Sequence, residues 1–303
     1  MNILYALAGL RGGLLDTVFG FFTFFGEELC VLFLLCLLYW CLDKRLSYQI
    51  CLVYFLSGLG TQLLKVICRV PRPWVLDPQF SPVPSALETA TGYSFPSGHT
   101  QSATAFWGTL GLWGWRRRGR FRGLALAAGL LLPALTGLSR MYLGVHTPQD
   151  VITGYLITLA IALLVTGFFA RNPEADSVSP RSAGLLFAAS LAVTLIAALL
   201  MKTGYAEAEM AADCCKAGGA GMGFALGWYL ESRYIRFSTK APLPFQAVKL
   251  ILGLAGAVLI QSGLKPVLGE SIPADIFRYF LLVLWVMVGY PAGVKRLEKF
   301  SHA

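Results

Sequence analysis

The feature that most constrains this chain is a succession of long apolar stretches that fills almost its whole length. A helix satisfies its own backbone hydrogen bonds in lipid, and a spanning helix needs about 20 mainly apolar residues. The stretches of about this length are 18–41, 48–70, 98–115, 123–142, 149–170, 183–202, 214–230, 245–264 and 276–293. With 56% hydrophobic and 14% charged residues, the chain has more apolar surface than one soluble core buries. The sequence predicts an all-α, polytopic transmembrane helical bundle of about nine spans.

The loops between the predicted spans differ in charge and so orient the bundle. Basic loops remain in the cytoplasm, and one face carries most of the lysines and arginines, including the run "RRRGRFR" at 116–122. This assignment places the amino terminus outside and the carboxyl terminus inside. The formal net charge of +9 is therefore a topology signal, and we expect no nucleic-acid partner.

Polar residues collect at the outer ends of the predicted spans, beginning with "LLKVICRVPRPW". Lys65 and Arg72 lie seven residues apart at the end of the second span, and Arg72 stands between Pro71 and Pro73. Two cations at a helix end are equally consistent with anchors that reach the membrane surface. The flanking prolines favour an extended backbone, however, which helps to aim a guanidinium at a specific partner.

The third predicted span opens with "SFPSGHTQSA", in which Ser97 precedes Gly98 and His99 at a helix start. Backbone N–H groups of a first helical turn have no helical acceptor and favour an anion, and glycine lets that anion come close. An ordinary serine N-cap, with His99 as an interface residue, is the alternative.

The stretch "SRMYLGVHTPQD" links the fourth and fifth spans. Thr147, Pro148 and Asp150 fit an N-cap, a proline at the first helical position and the acidic residue of a capping box. The same carboxylate can accept the N–H of the His146 ring, fix its tautomer and leave the other ring nitrogen unprotonated. A cap alone explains neither His146 nor Arg140.

The three stretches together bring two of the three histidines and three cations to one predicted membrane face. Ionisable residues that converge at a membrane boundary usually mark function. Cations and helix-start amides can hold an oxyanion, a histidine backed by a carboxylate can act as a nucleophile, and a second histidine can handle a proton. This inventory fits phosphoryl transfer, in which positioning and charge stabilisation supply most of the catalysis.

The segments "KVICRVPRP", "PSGH" and "SRMYLGVHTPQD" resemble the three ordered signature motifs of the type 2 phosphatidic acid phosphatase superfamily. The pattern is Lys, six residues, Arg-Pro; then Pro-Ser-Gly-His; then Ser-Arg, five residues, His, three residues, Asp. The residues that fill these positions are Lys65, Arg72, Pro73, Ser97, Gly98, His99, Ser139, Arg140, His146 and Asp150. Three motifs in the right order are much more specific than any one of them.

The resemblance implies a role for each matching residue. His146 would attack phosphorus and form a phosphohistidine, Asp150 would orient it, and His99 would protonate the leaving oxygen and then activate water. The residues implied to bind the phosphoryl group are Lys65, Arg72, Ser97, Gly98 and Arg140. Ser139 would support Arg140. No cofactor and no metal are implied, and no carboxylate cluster or histidine pair with metal-ligand spacing lies near the motifs.

The family implies hydrolysis of a lipid phosphate or diphosphate, such as phosphatidate, a polyprenyl diphosphate or a sphingoid-base phosphate, on the non-cytoplasmic face. The expected partners are this substrate and the lipid bilayer, in the bacterial plasma membrane or, in a eukaryote, the endoplasmic reticulum membrane. A phosphotransferase that uses the same phosphohistidine to modify a lipid or sugar headgroup is an alternative. A non-enzymatic transporter or scaffold is a further one, which the two histidines disfavour because binding needs only the cations.

The sequence divides into three regions on this basis. We expect an interfacial N-terminal segment at 1–17, a phosphatase core of the six-span type at 18–170 and additional transmembrane helices of unknown role at 171–303. The glycine-rich stretch around Gly219 and Gly223 predicts close helix packing.

Two further expectations concern the outer surface of the core. The linker at 75–94 is a candidate lid, with Trp74 and Phe80 as lipid contacts or simple interface anchors. Glu27 or Glu28 is expected to pair with Arg69 or Arg72, because an unpaired carboxylate at that depth is costly.

Overall fold

A computed structural model gives the fold over residues 1–117, 119–172 and 178–301, without the side chains of 297–301. Arg118 of the predicted basic loop lies outside this described part. All regular secondary structure in these ranges is helical, which confirms the all-α prediction. The helices are α1 (Asn2–Ala8), α2 (Gly13–Phe24), α3 (Glu28–Leu37), α4 (Lys44–Cys68), α5 (Pro73–Leu76), α6 (Gly98–Ala103), α7 (Thr109–Arg116), α8 (Arg122–Tyr142), α9 (Pro148–Arg171), α10 (Pro180–Lys202), α11 (Ala208–Leu230), α12 (Leu243–Gly263), α13 (Lys265–Leu268), α14 (Ile272–Leu284) and α15 (Tyr290–Ser301).

The number of membrane spans is lower than nine when it is judged by helix length and hydropathy. Six helical segments in the described residues qualify, or up to seven if α2 and α3, which are bent by 46°, form one broken span. The six are Lys44–Leu76, Arg122–Tyr142, Pro148–Arg171, Pro180–Lys202, Leu243–Leu268 and Ile272–Arg296. The count of nine is therefore not confirmed.

Helices also lie at the two remaining predicted positions, but they are not among the six. A π-helical segment, Thr104–Gly108, joins α6 to α7 and makes one helix of them, and α11 fills the other position. Both are enclosed by neighbouring helices and carry polar side chains, such as the buried Gln101 and the ion-paired Lys216. Enclosed helices meet protein rather than lipid, so their composition follows packing and not hydropathy.

The chain forms two compact units, of which the first consists of Met1–Leu32 and Gln49–Arg171. In this unit α8 packs against α2, α6, α7 and α9. The α7–α8 contact is close: a Cβ added to Gly129 would lie 2.6 Å from the Cα of Gly111. All three sequence motifs belong to this unit, at the end of α4, the start of α6 and the turn between α8 and α9.

The second unit consists of Phe33–Tyr48 and Asn172–Ala303. Here α11 packs against α10 and α14. A Cβ added to Gly219 would lie 2.4 Å from the carbonyl oxygen of Ile276 on α14, which confirms the close packing predicted for the glycine-rich stretch. The segment at 33–48 belongs to this unit, whereas the sequence division assigned it to the core at 18–170.

The linker at 75–94 packs onto the turn between α8 and α9, which lies within the third motif. Ala86 and Ala90 of the linker form a buried apolar cluster with Tyr142 and Val145, and Trp74 packs against its edge. Phe80 is 3% exposed because its ring packs against the N-terminal segment. The prediction of Phe80 as a lipid contact is therefore wrong, and the lid function of the linker remains a prediction.

Candidate active site

The guanidinium of Arg72 occupies a fixed position just beyond α4. The residue has an extended backbone (φ −67°, ψ 155°), as its flanking prolines predict, and it is 6% exposed. Its Nη2, Nε and Nη1 donate to the backbone carbonyls of Thr91 (2.6 Å), Gly92 (2.8 Å) and Val145 (2.9 Å), respectively. These three carbonyls determine where the guanidinium points.

The second motif begins α6 and is joined to the third motif through the backbone. Ser97 is the N-cap of α6, as predicted, and Gly98 and His99 form the first turn. The amide of Ser97 donates to the carbonyl of Asp150 (3.0 Å). The helix α9 also approaches this turn closely, since a Cβ added to Gly154 would lie 2.9 Å from the Ser97 carbonyl oxygen.

The third motif begins α9 with the predicted capping box. The amide of Thr147 donates to Oδ2 of Asp150 (2.7 Å), and the amide of Asp150 faces Oγ1 of Thr147 at 3.4 Å. Oδ2 accepts a further hydrogen bond from the hydroxyl of Ser94 (2.5 Å). Because Asp150 is 1% exposed, these donors replace the water that a surface carboxylate would bind.

The ring of His146 lies between this carboxylate and Arg72. Its Nδ1 is 3.5 Å from Oδ2 of Asp150 and 3.4 Å from the Ser94 hydroxyl, and its Nε2 is 3.0 Å from Nη1 of Arg72. A guanidinium only donates, so Nε2 must be the acceptor and the ring proton lies on Nδ1. This is the tautomer that a nucleophilic Nε2 requires.

The electrostatic environment also favours a neutral imidazole. Burial lowers the pKa of His146 well below its ordinary value, and the charges of Arg72, Arg140 and Lys65 lower it further. The same three cations, together with His146 itself, interact electrostatically with His99. The structure thus brings the two histidines and the three cations of the motifs into one site.

Arg140 lies in the last turn of α8. It is 1% exposed, and its Nη1 donates to the hydroxyls of Thr23 (3.0 Å) and Thr89 (3.4 Å). Its Nε is buried and has no hydrogen-bond partner within the described residues. Buried donors are rarely left unpaired, so this N–H is a candidate contact for a bound anion.

Two further sequence expectations concern the surroundings of Arg140. Glu27 interacts electrostatically with Arg140, and the expected pairing of Glu27 or Glu28 with Arg69 or Arg72 stays a prediction. The hydroxyl of Ser139 has no hydrogen-bond partner among the described residues, so the support expected for Arg140 does not come from a hydrogen bond of that hydroxyl.

Sequence reasoning missed the part of the site that the linker supplies. Ser94 bonds Asp150, the carbonyls of Thr91 and Gly92 hold Arg72, and the carbonyl of Tyr93 accepts from Nζ of Lys65 at 2.5 Å. No motif marks these positions. The available signal was their place, directly before the second motif and at the end of a linker too short for a domain.

The arrangement can hold a phosphoryl group and attack it. The charges of three cations act on a neutral imidazole whose Nε2 carries a lone pair, and the buried carboxylate of Asp150 lies 3.5 Å from Nδ1 on the other side of the ring. Among the described residues, no group of three or more His, Cys, Asp or Glu side chains is placed to bind a metal ion.

Comparison with known families agrees with the positions of the motifs. Residues 46–174 match the family described as the PAP2 superfamily, and this range contains all three motifs. Residues 215–301 match the family described as PAP2 superfamily phosphatase, transmembrane extension. No solved structure matches the chain significantly.

Similar proteins include phosphatases from animals, an amoeba and bacteria. Sphingosine-1-phosphate phosphatase 2 of Mus musculus is 30% identical over 164 residues, which cover 54% of this chain and 45% of that protein. A probable sphingosine-1-phosphate phosphatase of Dictyostelium discoideum is 25% identical over 95% of this chain and 68% of that protein. Phosphatidylglycerophosphatase B of Escherichia coli (strain K12) is 38% identical over 27% of this chain and 31% of that protein. The match thus spans less than half the length of the mouse protein.

Proposed function

Because the chain belongs to the PAP2 superfamily, we propose that it is an integral-membrane, metal-independent phosphatase that hydrolyses a lipid phosphate through a phosphohistidine on His146. The observation that carries this proposal is the contact of Arg72 Nη1 with His146 Nε2 (3.0 Å). It supports an unprotonated nitrogen at the point where a cation can hold a phosphoryl oxygen.

In the first step, Nε2 of His146 attacks phosphorus. The P–N bond forms while the P–O bond to the lipid breaks, and His99, which begins the cycle protonated, gives its proton to the leaving oxygen and becomes neutral. The ring gains positive charge as it reacts, and the carboxylate of Asp150, 3.5 Å from Nδ1, stabilises that charge.

In the second step, water takes the place of the leaving lipid. His99 accepts a proton from the water, whose oxygen attacks phosphorus, and the P–N bond breaks. Inorganic phosphate leaves, and His146 returns to its neutral form. Both histidines end the cycle in their starting protonation states.

The phosphoryl oxygens are held by Lys65, Arg72 and Arg140, with Ser97 and the Gly98 amide. A phosphoryl group beside Nε2 replaces the contact between Arg72 and His146, while Arg72 keeps its carbonyl partners in the linker. The unpaired Nε of Arg140 gains an acceptor in the same event. Charge that develops on these oxygens in the transition state meets donors already in place.

The names of the relatives suggest a substrate with a single phosphate on a lipid. We propose sphingoid-base phosphates first, with phosphatidate and phosphatidylglycerophosphate as the nearest alternatives. Because the motifs lie at the span ends opposite the arginine-rich loop, the reaction takes place on the non-cytoplasmic face of a cell membrane. A molecule anchored in the bilayer reaches a site at that depth most easily.

The test is the release of inorganic phosphate by the purified full chain in detergent. A panel of sphingosine 1-phosphate, phosphatidate, phosphatidylglycerophosphate and a water-soluble phosphate ester is offered to the wild type and to His146→Ala. We expect release from a lipid substrate by the wild type only. No release from any lipid, a clear preference for the soluble ester, or full activity of the variant contradicts the proposal.

The membrane face is tested separately in sealed vesicles of known protein orientation. We expect a lipid phosphate added to the outer leaflet to be hydrolysed only where the arginine-rich loop faces the lumen. Hydrolysis only from the arginine-rich side contradicts the proposed face. Transfer of labelled phosphate to an added lipid or sugar acceptor, without inorganic phosphate, identifies the transferase alternative.

A further inference from the structure

The short turn at 142–145 determines where two groups of the proposed site lie. It begins at the end of α8, two residues after Arg140, and ends directly before His146. The carbonyl of Val145 in this turn accepts the hydrogen bond from Arg72 Nη1 (2.9 Å). A displacement of the turn therefore moves His146 and one of the three carbonyls that aim Arg72.

Arg11 of the N-terminal segment (residues 1–17) contacts the backbone of this turn. Nε of Arg11 donates to the carbonyl of Tyr142 (3.1 Å), and Nη1 donates to the carbonyl of Ser81 in the linker (2.6 Å). The guanidinium also lies over the ring of Phe80, 5.4 Å from its centroid. The side chain of Arg11 thus adds a second link between turn and linker, beside the hydrogen bond that the Val83 amide donates to the Leu143 carbonyl (2.9 Å).

The packing around Arg11 leaves the turn little room. Gly144 has a positive φ of 82°, and a Cβ added to it would lie 2.6 Å from Nη2 of Arg11. A guanidinium binds two acceptors in a fixed planar geometry, which an ammonium does not reproduce. The contact therefore restricts how far the backbone at Tyr142 and Gly144 can move relative to the linker.

A second set of contacts holds the same turn from α2. The hydroxyl of Tyr142 donates to Oδ1 of Asp16 (2.5 Å), and the ring of Tyr142 stacks on that of Phe19, with centroids 4.2 Å apart. These contacts hold the side chain of Tyr142, whereas Arg11 holds its backbone.

We propose that Arg11 is a positioning residue of the phosphatase: it ties the carbonyls of Tyr142 and Ser81 together and thereby fixes the turn that places His146 and Arg72. Arg11 touches neither of these residues in the contacts described above and acts through the backbone between them. The inference rests on the proposed function, and nothing in the three sequence motifs includes Arg11.

The experiment compares Arg11→Ala, Arg11→Lys and Tyr5→Phe in the full-length protein in detergent. Tyr5→Phe is the matched control, because it removes another hydrogen bond between the N-terminal segment and the linker, from Tyr5 to Asp77 (2.9 Å), without contact to the turn. We expect Arg11→Ala to lower kcat about tenfold or more with KM within about twofold, since a misplaced nucleophile loses transition-state rather than ground-state interactions.

Two further readouts distinguish positioning from a loss of stability. We expect faster amide hydrogen exchange at 142–146 in Arg11→Ala than in the wild type or Tyr5→Phe.

We also expect the acid limb of the pH profile of kcat/KM to move to higher pH, because a looser turn admits water to His146 and the pKa of its ring rises toward the ordinary value of about 6.5. The charged and polar groups that act on this ring are Arg72, Arg140, Lys65, Asp150, His99 and Ser94. Since all variants share one substrate, its own ionisation does not affect the comparison.

Arg11→Lys should recover part of kcat, since an ammonium can reach one of the two carbonyls. The inference is overturned if Arg11→Ala has the same kcat, the same acid limb of the pH profile and the same hydrogen exchange as the wild type. It is also overturned if Arg11→Ala and Tyr5→Phe lose equal amounts of kcat. If Arg11→Ala does not fold, the same three readouts on Arg11→Lys decide between these outcomes. If the wild type releases no phosphate, the proposed function fails, while hydrogen exchange still tests whether Arg11 holds the turn.

Discussion

Removal of the Ser94 hydroxyl tests the buried hydrogen-bond relay behind the proposed nucleophile, which consists of Ser94, Asp150 and the ring of His146. The hydroxyl donates to Oδ2 of Asp150 at 2.5 Å and lies 3.4 Å from Nδ1 of His146. Ser94 is 0% exposed and Asp150 is 1% exposed, so this hydrogen bond is shielded from bulk water. Ser94→Ala leaves Oδ2 with the Thr147 amide as its remaining hydrogen-bond donor among these contacts.

The size of the effect follows from this geometry. A hydrogen bond to a charged group contributes about 1.5–3 kcal/mol, and about 1.4 kcal/mol corresponds to a tenfold change in rate. If the carboxylate needs this bond to stay aligned with the reacting ring, kcat/KM falls by about 10- to 150-fold. The loss is smaller than that of His146→Ala, because the Ser94 backbone and Asp150 itself remain.

The assay is steady-state phosphate release from a lipid phosphate, together with thermal unfolding of each variant. Ser190→Ala is the control, since Ser190 is also buried but its hydroxyl donates to Leu186 in its own helix (2.9 Å), in the other unit of the chain. A Ser94→Ala variant within about twofold of wild type refutes the relay. So does a full further loss when Ser94→Ala is added to Asp150→Asn, because residues that act through one group are not additive.

Three other predictions concern the histidines, the metal and pH. We expect His146→Ala to form no phosphoenzyme, whereas His99→Ala forms some with an activated leaving group but does not turn over; equal and complete loss in both contradicts these roles. Phosphate release should continue in EDTA and stop with vanadate, which resembles the transferring phosphoryl group; loss in EDTA that magnesium restores contradicts the mechanism. Because the pKa of His146 is lowered in the folded chain, the unfolded state binds more protons just below its ordinary pKa of about 6.5, so stability falls as pH falls through that range. His146→Ala should lose less stability than wild type over the same range in thermal unfolding, and an identical loss shows that His146 does not cause it.

The local features of the site were accessible to sequence reasoning because each is encoded within a few residues. The serine cap of α6 and the capping box of α9 depend on side chains that lie three residues apart, and Pro71 and Pro73 determine the backbone at Arg72 directly. Hydropathy predicted the helices but not the number of spans, since α11 is enclosed by other helices and carries charges such as Lys216.

The contacts that complete the site could not be predicted from the sequence, because they join distant parts of the chain. Ser94 is 56 residues from Asp150, Arg11 is 131 residues from Tyr142, and Thr23 is 117 residues from Arg140. Serine, arginine and threonine are ordinary at such positions, and only the packing of the linker, the N-terminal segment and α2 gives them a partner.

The carboxylate of Asp150 serves the helix and the proposed chemistry through one atom. Its Oδ2 accepts from the Thr147 amide, which begins α9, and the same oxygen faces Nδ1 of His146. Any substitution of Asp150 therefore disturbs the helix start and the ring together, and its effect on rate cannot be assigned to either. Ser94 contacts this oxygen without belonging to the cap, so it is the position at which the alignment of the ring can be weakened while α9 keeps its first turn.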